Sequence, residues 1–256
     1  MKHSILLIFW ALIGVSANAQ LPRFRALAFY SEKVEPAHVE FALEAIQFFK
    51  EMTWGDVYIL DTTSNMDDLN PDKLKDYSII MMLNDFPHSE KQRNAFQEYM
   101  ENGGGWFGFH VAAYNDRNTN WPWFVDFLGG GVFWRNNWPP MPAKLVIEKH
   151  NHPVTKALPE TFMSPINEWY QWAPSPRENP DIEVLASLSE DNYPMGLKDL
   201  ITGGDCPVVW TNTNYRMIYM NMGHGTKIFT DPVQNSLIIS GFRWVVATDN
   251  KGNVFE

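Results

Sequence analysis

Short apolar runs separated by stretches of helical periodicity fill the first half of the sequence, and that alternation limits the chain to few architectures. Arg25–Tyr30 is one such run; after Pro36 the residues Val39, Phe41, Ala42, Ala45, Ile46, Phe48 and Phe49 recur at helical spacing, giving a strand and its crossover helix. Val57–Leu60 reads as a second strand, Asp67–Lys75 as a short helix and Ile79–Leu83 as a third strand. Ser89 has the chemistry of an N-cap, Phe96, Tyr99 and Met100 give the next helix one apolar face, and Gly103–Gly105 ends it before a fourth strand, Trp106–Phe109. Strands that alternate with helices pair in parallel through right-handed crossovers. The expected fold class is α/β: one domain with a doubly wound, mostly parallel sheet and helices on both faces.

The second half continues with strands at Ala143–Lys149, Glu183–Leu188, Val208–Thr211 and Met217–Asn221, and an amphipathic helix over Val233–Val246. Between the halves, Tyr114–Pro142 is rich in Trp, Asn, Pro and Gly, with only Trp123–Leu128 helical in pattern. It reads as a long ordered loop over the sheet edge. No repeat, low-complexity tract or linker interrupts the chain, so residues 20–256 are expected to form a single domain.

The first nineteen residues have the pattern of a cleavable signal peptide: Lys2, an apolar run over Ile5–Val15, and the small-x-small site Ala17-Asn18-Ala19. The apolar run is shorter than the roughly 20 residues a membrane helix needs. The product expected is therefore periplasmic or secreted after cleavage at Ala19, without membrane insertion. Losing the charge of Lys2 takes the net charge from −10 to −11, which argues against nucleic acid as a partner. The lone Cys206 leaves no internal disulfide, so the core alone must hold the fold.

In open α/β sheets ligands bind beyond the carboxyl ends of the strands, which directs attention to Asn84-Asp85 and to His110. His110 follows Gly108-Phe109 where the strand must turn sharply; it suits a general acid/base or a metal ligand, or it anchors the turn through hydrogen bonds. Glu168 lies among the aromatics Trp169, Tyr170 and Trp172, a setting for a raised carboxyl pKa and for stacking on sugar rings; a salt-bridged carboxylate over core aromatics is the alternative. His224, flanked by Gly223 and Gly225 after a strand, is either a site residue or a satisfied loop histidine. Trp121, Trp123, Trp134 and Trp138 fall in polar loop sequence, where aromatic platforms meet ligands. His150 and His152 have a weak metal spacing, and His38 and His88 read as helix-start or solvent residues. There is no G-x-S-x-G elbow, and no glycine-rich loop opens a helix to cradle a phosphate.

Gly103-Gly104-Gly105-Trp106-Phe107-Gly108-Phe109-His110, Trp121-Pro122-Trp123, Leu128-Gly129-Gly130, His152-Pro153, Asn167-Glu168-Trp169-Tyr170, Pro207-Val208-Val209-Trp210, Met222-Gly223-His224 and Gly241-Phe242-Arg243-Trp244 occur in that order. Together they resemble the ThuA-like (trehalose utilisation) family across nearly all of residues 20–256. The resemblance implies a flavodoxin- or class I glutamine amidotransferase-like fold, with His110 in place of the amidotransferase cysteine. It implies action on a disaccharide or keto-sugar, with His110, Glu168 and His224 catalytic; the strand-end position of Asp85 and the aromatic faces of Trp121, Trp134, Trp169 and Tyr170 make these the residues expected to bind a small carbohydrate. Two departures stand out: Asn167, where relatives often have Asp, and Trp134-Arg135-Asn136-Asn137, where they often have a histidine. With only two histidines in the expected set, no metal ligands are assigned. A divalent metal, if one binds, is expected to bind weakly.

Overall fold

A computed structural model describes residues 24–52, 58–192 and 205–247. The expected signal peptide and Val57 lie outside the described residues. The parallel sheet begins with β1 (Phe24–Phe29), α1 (Pro36–Glu51), β2 (Tyr58–Thr63), the one-turn helix α2 (Pro71–Leu74) and β3 (Ile79–Met82). α3 (Glu90–Glu101) opens with a capping box between Ser89 and Gln92, and β4 (Gly105–Phe109) follows. Asn70-Pro71 divides the expected Asp67–Lys75 helix into a 3₁₀ turn and α2, because Asn70 caps a new helix and proline suits its first position.

Nine strands form the main sheet in the order β2-β1-β3-β4-β11-β10-β9-β6-β7, which adds β6 (Met141–Ile147), β7 (Thr161–Asn167), β9 (Ile182–Leu188), β10 (Pro207–Asn212) and β11 (Arg216–Met220). β2 through β11 run parallel, and from β11 outward the pairs are antiparallel. The expected doubly wound sheet is present, and its antiparallel wing completes it.

Burial on both faces explains the continuous apolar runs of the parallel strands. Ala26, Ala28, Ile79, Met81, Phe107 and Phe109 join the core beneath α1 and α5 (Pro232–Ala247), while Leu27, Phe29, Ile80, Met82 and Trp106 join the core under α3 and α4 (Pro122–Phe127). Period-two alternation thus sends successive side chains into two different cores.

The expected loop over Tyr114–Pro142 is more ordered than its composition suggests. β5 (Val132–Asn136) pairs with β8 (Tyr170–Ala173) in a separate two-stranded ribbon, and β6 begins at Met141. β7, four places from β11 in the sheet, comes back to the centre of the molecule. Ser164 donates to Gln234 of α5 at 2.5 Å, and Asn167 donates to the carbonyl of Asn221 at 3.2 Å. That return brings Glu168 to the carboxyl ends of β4 and β11.

Candidate functional site

β4 and β11 pair side by side up to Phe109 and Met220, so the residues that follow them meet at one rim. There the chain turns at His110, whose φ of 44° is the only positive value at a non-glycine among the described residues. Such a conformation costs on the order of 1–3 kcal/mol and persists only where its surroundings enforce it. They do so here. The Tyr219 hydroxyl donates to the His110 carbonyl, Tyr170 stacks on the imidazole at 4.0 Å between ring centroids, and Gly223 passes so close that an added Cβ would lie 2.3 Å from that of His110.

The ring of His110 is fully buried and tied at both nitrogens. Nδ1 lies 2.8 Å from the Asn221 carbonyl oxygen, and Nε2 lies 3.2 Å from Oε2 of Glu168. Because a carbonyl oxygen can only accept, Nδ1 carries the proton and Nε2 presents its lone pair to the carboxylate. Burial lowers the His110 pKa, and the pull of the Glu168 carboxylate on an imidazolium opposes that shift only in part. For Glu168, burial raises the pKa, and only imidazolium forms of His110 and His38 donating to it bring it below the ordinary carboxylate value. Of the two readings expected for Glu168, a carboxyl enclosed by aromatics and a paired carboxylate over core aromatics, its contacts with His110 and His38 match the second.

His224 lies close by, its ring centroid 6.1 Å from that of His110, and burial lowers its pKa as well. Asn167 holds the three residues in register. Its Oδ1 accepts from the backbone N–H groups of Gly223 and His224, and its Nδ2 donates to the carbonyls of Glu168 and Asn221. The other departure from the family pattern also serves this centre, since Asn136 donates to Glu168 Oε1 and Asn137 Oδ1 accepts from the Trp169 backbone N–H.

The cluster contains a third histidine. His38, on the first turn of α1 at the carboxyl end of β1, packs its ring 5.1 Å from those of both His110 and His224, and its Nε2 lies 3.9 Å from Glu168 Oε2. Its place at a helix start is as expected, but it is buried, which corrects the solvent-facing reading. The signal was present: strand order 2-1-3-4 puts the switch point between β1 and β3, so the β1–α1 connection merited the same scrutiny as His110.

The expected substrate-binding residues divide. Tyr170 joins the cluster, whereas Trp169 is buried in the core, its indole N–H donating to the Met141 carbonyl. Trp121 packs against Phe96, Trp123 and Phe124 beneath Arg93, and Trp134 is 52% exposed beside Arg117. Among the described residues the ring contacts of Trp121 and Trp134 lie away from the cluster, whereas Trp138 stands edge-on to His224 at 6.3 Å and is half exposed. Asp85 hydrogen-bonds to His88 and lines a neighbouring cavity of about 590 Å³ with Ser31, Lys33 and Asp67. Its neighbour Asn84 donates to the His38 carbonyl, which joins cavity and cluster through α1.

The family profile for ThuA, trehalose utilisation, matches residues 25–245. The chain belongs to the ThuA family. A ThuA-like protein from Bacteroides uniformis is 56% identical, with a TM-score of 0.89 over 94% of this chain and 99% of that one. A second ThuA-like protein, from Parabacteroides merdae, shares 18% identity and the fold, with a TM-score of 0.65 over 92% of each chain. A β-galactosidase from Bacillus circulans shares only the fold, at 10% identity and a TM-score of 0.51 over 86% of this chain and 31% of that one. No curated relative matches the chain. For this ThuA-family chain the family motifs around His110, Glu168 and His224 meet in space, and the architecture accords with an amidotransferase-like fold.

Proposed function

We propose that this ThuA-family protein is an exported enzyme that acts on a disaccharide or keto-sugar. The observation that carries the reading is the buried Glu168 carboxyl group gathered with His38, His110 and His224 at the carboxyl rim of the parallel strands. Chemistry next to a sugar carbonyl needs a base at a C–H bond and an acid at the carbonyl oxygen. His224, beside Trp138 and the half-exposed Glu35, is the proton-transfer group at the mouth, and Glu168 stabilises the imidazolium that forms. His110, fully enclosed, positions Glu168. Trp138 offers an apolar face to a sugar ring, and Asp85 in the adjoining cavity offers a hydroxyl acceptor.

The complete burial of His110 favours a second reading, a sugar-binding protein without turnover. Calorimetry and product analysis with trehalose, other glucosides and their 3-keto forms separate the two. Binding with turnover supports the enzyme. Binding alone supports the second reading, and neither binding nor turnover rejects both. Export is tested separately by the N-terminal sequence of the protein recovered from the periplasm or medium, which should begin at Gln20.

A further inference from the structure

Nothing in the proton-transfer scheme explains why three buried imidazoles gather around one carboxyl group. His38 Nε2 and His224 Nε2 are both buried and have no hydrogen-bond partner in the protein. His110 Nε2, with its proton fixed on Nδ1, points its lone pair at an acceptor. A single proton shared between His110 and Glu168 would relieve that contact and leave the other two nitrogens unsatisfied. A cation with several coordination positions relieves all of them.

The geometry points to a divalent transition-metal site of the zinc class, held by His38 Nε2, His110 Nε2 and Glu168 Oε2, with His224 Nε2 on its open side. These three ligand atoms lie within 4.8 Å of one another, and a second overlapping group joins His38 and His224 to Glu35. Metal–ligand bonds of about 2.0–2.1 Å in a tetrahedron put neighbouring ligand atoms about 3.3 Å apart. The Glu168 oxygen stands 3.2 Å from His110, already near that spacing, and 3.9 Å from His38.

The surroundings are those of a built site. The Asn221 carbonyl fixes the tautomer and orientation of His110, and Asn136 occupies Oε1 of Glu168, so that Oε2 is the oxygen facing the histidines. Imidazoles with one carboxylate select zinc, cobalt, manganese or iron over calcium and magnesium, which require oxygen ligands. Three protein ligands and an open position describe a reactive centre and not a closed structural one. The site rests on these side chains and is independent of the sugar reading.

The test uses the full chain, stripped with chelator and titrated with Zn²⁺ or Co²⁺ in the absence of any sugar. About one ion per chain should bind, Co²⁺ should show the intense visible bands of four- or five-coordination, and the ion should raise the thermal midpoint. His38→Ala and Glu168→Gln should each weaken binding by at least about 100-fold and remove the thermal shift, with His150→Ala, at an exposed remote residue, unchanged. Should His38→Ala fail to fold, Glu168→Gln, nearly isosteric, answers the same question. No saturable binding by the wild type, or binding that survives both substitutions, overturns the site. Sugar turnover without metal binding would sink this inference alone, and metal binding without turnover would sink only the enzyme reading.

Discussion

Asn167 shows how much of the site depends on one amide. Its oxygen takes two backbone N–H groups and its nitrogen serves two carbonyls, so an aspartate in its place would satisfy the first pair and face the second with a charge. Asn167→Asp should destabilise the protein by about 1–3 kcal/mol, the usual cost of buried groups left unpaired. A urea midpoint equal to that of wild type would show that the amide is dispensable. Gly223 is constrained by space. Because an added Cβ would meet that of His110 at 2.3 Å, Gly223→Ala must displace either the strained turn or its own loop, at a cost of about 1–3 kcal/mol in the same unfolding measurement.

The ribbon of β5 and β8 delivers Asn136 and Tyr170 to the site, and Trp138 follows β5. Since Trp138 is half exposed, Trp138→Ala should leave the urea midpoint unchanged while weakening sugar binding about 10-fold, the worth of one aromatic contact. Unchanged affinity would remove Trp138 from the binding surface. These elements mark the limit of what the sequence reveals. The parallel strands and their helices were legible because two-sided burial and helical periodicity write themselves into local pattern, and Ser89 announced α3 through its cap. β5, β7 and β8 were not legible. β7 carries Pro165 in its interior, which an edge strand tolerates because no neighbour needs the missing N–H, and β5 and β8 are short strands supported only by each other. His110, Glu168 and His224 could be found because each follows a strand or sits among aromatics. His38 was lost because its spacing along α1 looks like that of any polar helix-start residue, and its role depends on where β1 lies in the sheet.

Across the whole molecule, the antiparallel wing is held by charge as well as by its core. Arg177 forms a two-pronged bond to Glu148 at 2.5 and 2.7 Å and reaches Asp205 at 2.7 Å, joining the segments before β9 and β10 to the end of β6. Burial pushes Asp205 up, but the hydrogen bonds from Arg177 and Ser175 outweigh it and hold its carboxyl below the ordinary value. A depressed folded pKa means that the stabilisation is complete above the unfolded carboxylate value, about 3.9, and fades as pH falls through the folded one. Partial exposure limits the effect to about 1 kcal/mol. Thermal midpoints between pH 7 and pH 3 should therefore fall more steeply for wild type than for Arg177→Met; parallel profiles would remove the network from the account. The same wing returns Glu168 to meet the histidines of α1, β4 and β11, and its purpose on this account is chemistry. Proton NMR of a 3-keto-glucoside in D₂O follows that chemistry directly, through loss of the C–H signal beside the carbonyl. Wild type should erase that signal well above the buffer rate, and Glu168→Gln, with its urea midpoint retained, should be at least about 100-fold slower. A wild-type rate equal to that of buffer, or a Glu168→Gln rate equal to wild type, would contradict the account.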